Sequence, residues 1–167
     1  MRAFLWLSIA AAAALRLAIL AAGPDLDTDA FGHAMAGRFL LLDPADLRIH
    51  WVWLPLWHGV HALIAAAGGG LDEARALNVA LGVAPPLLLA RLLRRPGGEE
   101  LGAMAGALLS LWPLGMGLGQ SAQPEPLFQA LALGACVAWE EERPALAGGL
   151  LSAAALCRYE AWVLPPV

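Results

Sequence analysis

Charge is what this sequence has least of. Only 14% of its 167 residues are charged and 60% are apolar, whereas soluble domains carry about a quarter charged and about half apolar. With a mean hydropathy of +0.66, the chain does not read as an ordinary water-soluble domain. Positive charge is sparse as well. The ten Lys and Arg gather at the ends of segments instead of along one face, so no nucleic-acid-binding surface is expected. Cysteine is limited to Cys136 and Cys157, both inside apolar runs and without CxxC or metal-ligand spacing. They read as small apolar residues, and no disulfide is inferred from them. Internal repeats, low-complexity linkers and a separate soluble domain are missing too. The net charge of −4 says little about partners where most of the surface faces lipid.

What the chain has in abundance is long apolar runs. Five stretches are candidates to cross a bilayer: about 3 to 22, 75 to 94, 100 to 118, 125 to 140 and 145 to 164. The first has features of a signal peptide, with Arg2 in front and Ala21-Ala22-Gly23 behind. Its apolar stretch of about twenty residues is longer than a usual cleaved core, so it is expected to remain as an anchor. A sixth stretch, about 51 to 67, holds Trp51, Trp53 and Trp57, which suit the interface, and Pro55, His58 and His61, which suit a lipid-exposed span poorly. Counting it as a span would also place Arg91, Arg94 and Arg95 outside, against the positive-inside tendency.

The expected fold is therefore all-α: a polytopic transmembrane helix bundle forming one membrane domain, with juxtamembrane helices at about 28 to 42 and 51 to 67 in the first outer loop. The expected location is the cell membrane, multi-pass, with a cytoplasmic N-terminus. The outer face then receives residues 23 to 74, the turn from Gln120 to Glu125 and the chain near Arg158 to Glu160. The inner face receives Arg91 to Glu100 and Glu140 to Pro144.

Within the outer loop, Phe31, Met35, Phe39 and Leu42 recur at helical spacing and form an apolar stripe. Asp29 and His33, four residues apart, share roughly the opposite face, where they are expected to pair. Just before them stands Asp25-Leu26-Asp27-Thr28-Asp29. Three carboxylates beside hydrocarbon are costly unless a metal, a substrate hydroxyl or a helix N-terminus uses them. One cap does not require three aspartates, so at least one is expected to act on a ligand. Neighbouring carboxylates raise one another's pKa, as a general base requires, and with water they present the oxygen ligands that Mg²⁺ or Mn²⁺ takes. Arg16 is expected to pair with one of these aspartates. His50, His58 and His61 read as interfacial polar groups, with His58 kept as a substrate-binding candidate. The tryptophans read as belt residues.

These residues, in this order, resemble the N-terminal portion of a GT-C-type membrane glycosyltransferase, the superfamily of protein O-mannosyltransferases, aminoarabinose transferases and oligosaccharyltransferases. The resemblance rests on Asp27-Thr28-Asp29-Ala30-Phe31 after a first span, Trp53-Leu54-Pro55-Leu56-Trp57, and Ala74-Arg75-Ala76-Leu77-Asn78. It continues with Ser121-Ala122-Gln123-Pro124-Glu125-Pro126-Leu127-Phe128 and Leu156-Cys157-Arg158-Tyr159-Glu160. It implies transfer of a sugar from a polyprenyl-phosphate donor to an acceptor on the extracytoplasmic face, with inversion. Asp29 would be the catalytic base or a metal ligand, with Asp27 as its catalytic and metal-binding neighbour. The pair departs from the family's commonest Asp-Glu pattern by the intervening Thr28. A leaving polyprenyl phosphate needs positive charge, and Arg158 is the candidate. Glu125 and Glu160 complete the substrate-binding candidates, although Arg158 and Glu160, two apart, are not expected to share a helix face. The resemblance also implies further spans beyond residue 167.

Two other classes stay open. A small-solute transporter would place ionisable or broken-helix positions at mid-depth, and Pro85-Pro86 and Trp112-Pro113 leave room for that. A non-catalytic membrane subunit, or a fragment inactive alone, is the third reading.

Overall fold

A computed structural model describes residues 1–163. Every regular element among them is helical. In chain order these are α1 (Arg2–Ala22), α2 (Thr28–Leu42), a 3-10 turn (Leu47–His50), α3 (Pro55–Ala66) and α4 (Leu71–Leu81). They are followed by α5 (Ala84–Ser110), α6 (Pro113–Leu118), α7 (Glu125–Glu140), α8 (Pro144–Ala155) and a second 3-10 turn (Tyr159–Val163).

The juxtamembrane helix expected at 28 to 42 and the helix expected at 125 to 140 form with those bounds. Both starts are written locally: the Asp27 side chain caps α2 by accepting from the Asp29 amide, and Pro126 occupies the first turn of α7. The segment expected at 51 to 67 becomes helical only at Pro55, because Trp51 to Leu54 form a turn with Trp51 at φ 49°.

The other expected spans are divided differently. The stretch 75 to 94 is interrupted at Gly82 and Val83, between α4 and α5. The stretch 100 to 118 breaks at Leu111 and Trp112, ahead of Pro113. The last helix runs only from Pro144 to Ala155, after which the chain turns, and residue 164 lies outside the described residues. α7 has 16 residues and α8 has 12, fewer than the about twenty that a full perpendicular crossing takes. Two stretches are long and apolar enough to cross a membrane, Arg2–Ala22 and Leu71–Ser110.

The second of these folds back on itself. Gly98 sits at φ 80° inside α5, in the left-handed region that glycine adopts without a Cβ penalty. The two arms of α5 then pack closely: a Cβ on Gly102 would lie 2.4 Å from the Ala90 carbonyl oxygen, and one on Gly106 2.5 Å from that of Pro86. Gly102 and Gly106 are a small-xxx-small pair, which lets apolar helices approach backbone to backbone. Leu5 and Ile9 of α1 pack with Ala90, Ala103 and Ala107 of α5 in the same cluster.

The distribution of side chains is inverted relative to a water-soluble core. Phe4, Leu7, Leu15, Leu17, Leu108 and Leu114 are exposed, while the largest fully buried side chains are Trp57, Arg75, His58, Asn78 and Ser110. The interior is otherwise rich in alanine. At one end of the bundle, Arg2 pairs with Glu99, Arg91 with Glu141 and Arg95 with Glu140. These contacts tie the start of α1, the bend of α5 and the end of α7. The carboxylates of the first loop lie past the other end of α1, about 30 Å along a helix of 21 residues.

Arg16 does not meet an aspartate. It is buried and donates to the carbonyls of Gly82 at 3.4 Å and Gly115 at 3.1 Å. The breaks after α4 and before α6 bring carbonyl groups within its reach, and Gly82 and Gly119 leave room for the guanidinium. A Cβ on either would come within 2.7 Å of it.

Candidate active site

The site is built around the turn from Gly119 to Pro124, which four side chains hold. The buried Asp25 carboxylate accepts from the Ser121 hydroxyl and the Ala122 amide, both at 2.8 Å, and from the Asp27 amide at 3.1 Å. The indole of Trp57 in α3 donates to the Ala122 carbonyl at 2.9 Å. Asn78 of α4 donates to the carbonyls of Ser121 and Gln123 at 2.6 Å. Arg75 of α4 reaches the carbonyl of Gln120 at 3.1 Å and that of Gly23 at 2.9 Å. A buried turn carries backbone polar groups that must be paired, and these side chains pair them. Three of the five short motifs singled out in the sequence therefore meet here, those of Trp57, of Arg75 and Asn78, and of the turn itself.

Glu125 begins α7 directly after the turn and opens into a cavity of about 350 Å³. Asp27, Asp29 and His33 line it from the start of α2, Trp53 and Leu54 from the approach to α3, and Arg158, Tyr159 and Glu160 from the chain after α8. Five of the six candidate residues, Asp27, Asp29, Glu125, Arg158 and Glu160, thus share one cavity although they come from three separate parts of the chain.

The aspartate cluster divides into three roles. Asp25 is a buried fastener for the 119–124 turn. Asp27 caps α2 by accepting from the Asp29 amide at 2.9 Å. Asp29 is exposed, lines the cavity, and its carboxylate makes no hydrogen bond or ion pair among the described residues. It is the carboxylate left available to a ligand.

Arg158 is held by two carboxylates. It pairs with Glu125 and with Glu160, the latter at 2.7 Å. The expectation that Arg158 and Glu160 diverge assumed a continuing helix. α8 ends at Ala155, and in the turn that follows, the two side chains meet on the same rim. The turn is tied down where the Leu56 amide donates to the Leu156 carbonyl at 3.0 Å and the Tyr159 hydroxyl to the Val52 carbonyl at 2.9 Å.

The histidines depart most from expectation. His33 does not bond Asp29; its Nδ1 lies 2.9 Å from Nε2 of His58, and its ring packs against Trp53 with centroids 4.6 Å apart. His58 is fully buried and does not line the cavity; its Nδ1 lies 2.7 Å from Nδ1 of His50. His61 is buried beside the Ala122 carbonyl, 3.4 Å from its Nε2. A close crossing of α2 over α3 makes this possible, since a Cβ on Gly37 would lie 2.4 Å from Cβ of His61. Burial, reinforced by the neighbouring His58, His61 and Arg158, pushes the His33 pKa down to about 3, with Asp27 opposing. Burial together with His50 and His61 pushes His58 down to about 4. Burial lowers His61 as well, opposed by the Ala122 carbonyl. These rings are neutral at pH 7. The tryptophans are not uniformly belt residues either: Trp57 is fully buried, Trp53 walls the cavity, and Trp51 is exposed.

Sequence reasoning missed Trp53, Tyr159 and His33 as cavity residues. His33 had a signal, its place opposite the apolar stripe of α2. For a metal, Asp27 and Asp29 supply hard oxygen donors, but no group of three His, Cys, Asp or Glu suited to an ion is found among the described residues. Both cysteines are free, with Cys157 buried. Comparison of the chain with protein families, with curated proteins and with solved structures gives no match.

Proposed function

We propose that this chain belongs to a multi-pass membrane glycosyltransferase of the GT-C type, which moves a sugar from a polyprenyl-phosphate donor to an acceptor on the extracytoplasmic face. The observation that carries the reading is the convergence of Glu125, Arg158 and Glu160 on one cavity with the unengaged carboxylate of Asp29. Large apolar side chains turned outward around an interior of alanine and polar groups support a bilayer as the surroundings. The apolar stripe of α2, with Phe31, Met35, Phe39 and Leu42 all exposed, suits a helix lying in the interface. The ion-paired arginine cluster at the other end of the bundle suits the cytoplasmic side.

In this reading Asp29 takes the proton from the acceptor hydroxyl as that oxygen attacks the anomeric carbon. The donor phosphate departs from the opposite face of the sugar toward Arg158, whose guanidinium Glu125 and Glu160 hold in place. Trp53 offers a ring for the sugar face. A Mg²⁺ or Mn²⁺ ion on Asp29 and Asp27 would add charge neutralisation at the phosphate, and no step here depends on it. The deciding experiment is Asp29→Asn in the complete protein, assayed with a polyprenyl-phospho-hexose. Loss of sugar transfer with intact membrane insertion is expected; unchanged transfer at equal expression rejects the assignment.

One observation favours the transporter reading. The helix breaks at Gly82–Val83 and Leu111–Trp112 surround a buried arginine, Arg16, as discontinuous helices surround a solute site. Release of free or newly linked sugar from the lipid donor separates the two, since a transporter leaves the donor intact.

A further inference from the structure

Three imidazoles form an unbroken chain through the protein. His33 lines the cavity, His58 is fully buried behind it, and His50 stands in the 3-10 turn, partly exposed. The links are Nδ1 of His33 to Nε2 of His58 at 2.9 Å, and Nδ1 of His58 to Nδ1 of His50 at 2.7 Å. His58 thereby spends both ring nitrogens on other histidines. With Nδ1 engaged in each, Nε2 is the remaining ring nitrogen of His33, which lines the cavity, and of His50, which is partly exposed. Asp29 precedes His33 by one helical turn on the same face of α2 and lines the same cavity.

We propose that His33, His58 and His50 form a proton wire between the Asp29 cavity and the surface. A neutral imidazole carries one N–H and one bare nitrogen, so only two arrangements satisfy both links. In the first, His33 donates from Nδ1 to His58, His58 donates from Nδ1 to His50, and His50 carries its proton on Nε2. A proton arriving at Nε2 of His33 drives the His33 Nδ1 proton onto His58, the His58 Nδ1 proton onto His50, and the His50 Nε2 proton into water. The second arrangement results, with every ring in its other tautomer and one proton moved outward. The reverse shift brings a proton in through His50 and restores the first.

The wire suits the reaction proposed above, on which its use depends. The protonated Asp29 carboxyl delivers to His33 and becomes a carboxylate again. On the return shift the incoming proton neutralises one charge of the released phosphate monoester, whose second pKa is about 6. The arrangement also fits a relay better than a metal site, because His58 points its two nitrogens at different neighbours instead of converging with them on one point. The groups that face the wire are Asp27 and Arg158 near His33, and His61, whose ring stacks 6.5 Å from His33.

Two measurements on the full-length protein test the wire. In ¹⁵N-histidine-labelled protein in nanodiscs at pH 7, ¹⁵N–¹⁵N couplings are expected from His33 to His58 and from His58 to His50. In His50→Phe the His33 tautomer should shift. Missing couplings, or a His33 tautomer indifferent to His50→Phe, overturn the wire whatever reaction the cavity performs. In a transfer assay with a short-chain polyprenyl-phospho-mannose and octyl mannoside, His50→Phe should lower kcat about a hundredfold with KM unchanged, and added imidazole should restore it. A wild-type rate, or a loss that imidazole does not restore, overturns the wire and leaves sugar transfer standing. Absence of transfer by the wild type rejects the reaction, and the couplings then decide the wire alone.

Discussion

The Ser121 hydroxyl donates to the Asp25 carboxylate at 2.8 Å, joining residues 96 positions apart in the chain. This bond binds the first loop to the turn that sets Glu125 at the cavity. Asp25→Ala should therefore cost about 2–3 kcal/mol, the scale of hydrogen bonds to a charged group. Asp29→Asn, on an exposed carboxylate, should cost a few tenths to about 1 kcal/mol through the helix dipole. Thermal unfolding of both variants in one detergent measures the difference, and equal destabilisation would remove the division of labour between the two aspartates.

Gly37→Ala places a methyl group 2.4 Å from Cβ of His61 and 2.8 Å from the Ala62 amide. Because backbone lies on the receiving side, α2 must move away from α3. The expected cost is about 1–3 kcal/mol, typical of overpacking, together with loss of the His33–His58 bond. The same ¹⁵N couplings and a melting curve report both effects.

Stability should fall as the protein is acidified from pH 6.5. His33 and His58 have folded pKa values of about 3 and about 4, below the unfolded value of about 6.5. Between those limits the unfolded chain binds more protons than the native one, so acid favours unfolding. The contribution is intact above about pH 6.5 and is lost as pH drops toward the folded values. Each ring removes at most about 1.4 kcal/mol per pH unit. His58→Gln should flatten the dependence of melting temperature on pH across this window. An unchanged slope would mean the rings are already charged in the native state.

Arg158→Lys keeps the charge but gives up the planar fork that holds Glu125 and Glu160 together. The KM for the lipid donor should rise about tenfold, equivalent to about 1.4 kcal/mol, with a smaller change in kcat. Donor titration of the purified variant measures it.

Topology has its own test. Glu100→Cys, near the bend of α5, should be shielded from an impermeant maleimide in intact cells, while Ala45→Cys should react. The reverse pattern would place the cavity in the cytoplasm.

The local starts of α2 and α7 were legible because their signals lie within a few residues of the helix, Asp27 for one and Pro124-Glu125-Pro126 for the other. The end of α8 was not legible. Apolar composition continues through Leu156 and Cys157, and the helix stops where the Leu156 carbonyl is taken by the Leu56 amide, a partner 100 residues away. The partner of Arg16 was misjudged for a related reason: the carbonyls of Gly82 and Gly115 are brought together by the helix breaks at Gly82–Val83 and Leu111–Trp112, in separate parts of the chain.

By itself, the sequence determined the all-helical composition and the outward apolar stripe of α2. Those properties follow from residue type and short spacing. Only the tertiary structure decided that Asp25 is a fastener, that Arg158 and Glu160 turn to the same rim, and that His33, His58 and His50 stand in line. Each of these depends on which backbone groups distant segments leave to be paired, and on how closely glycines such as Gly37 let helices approach. Periodicity within one helix carries no trace of either.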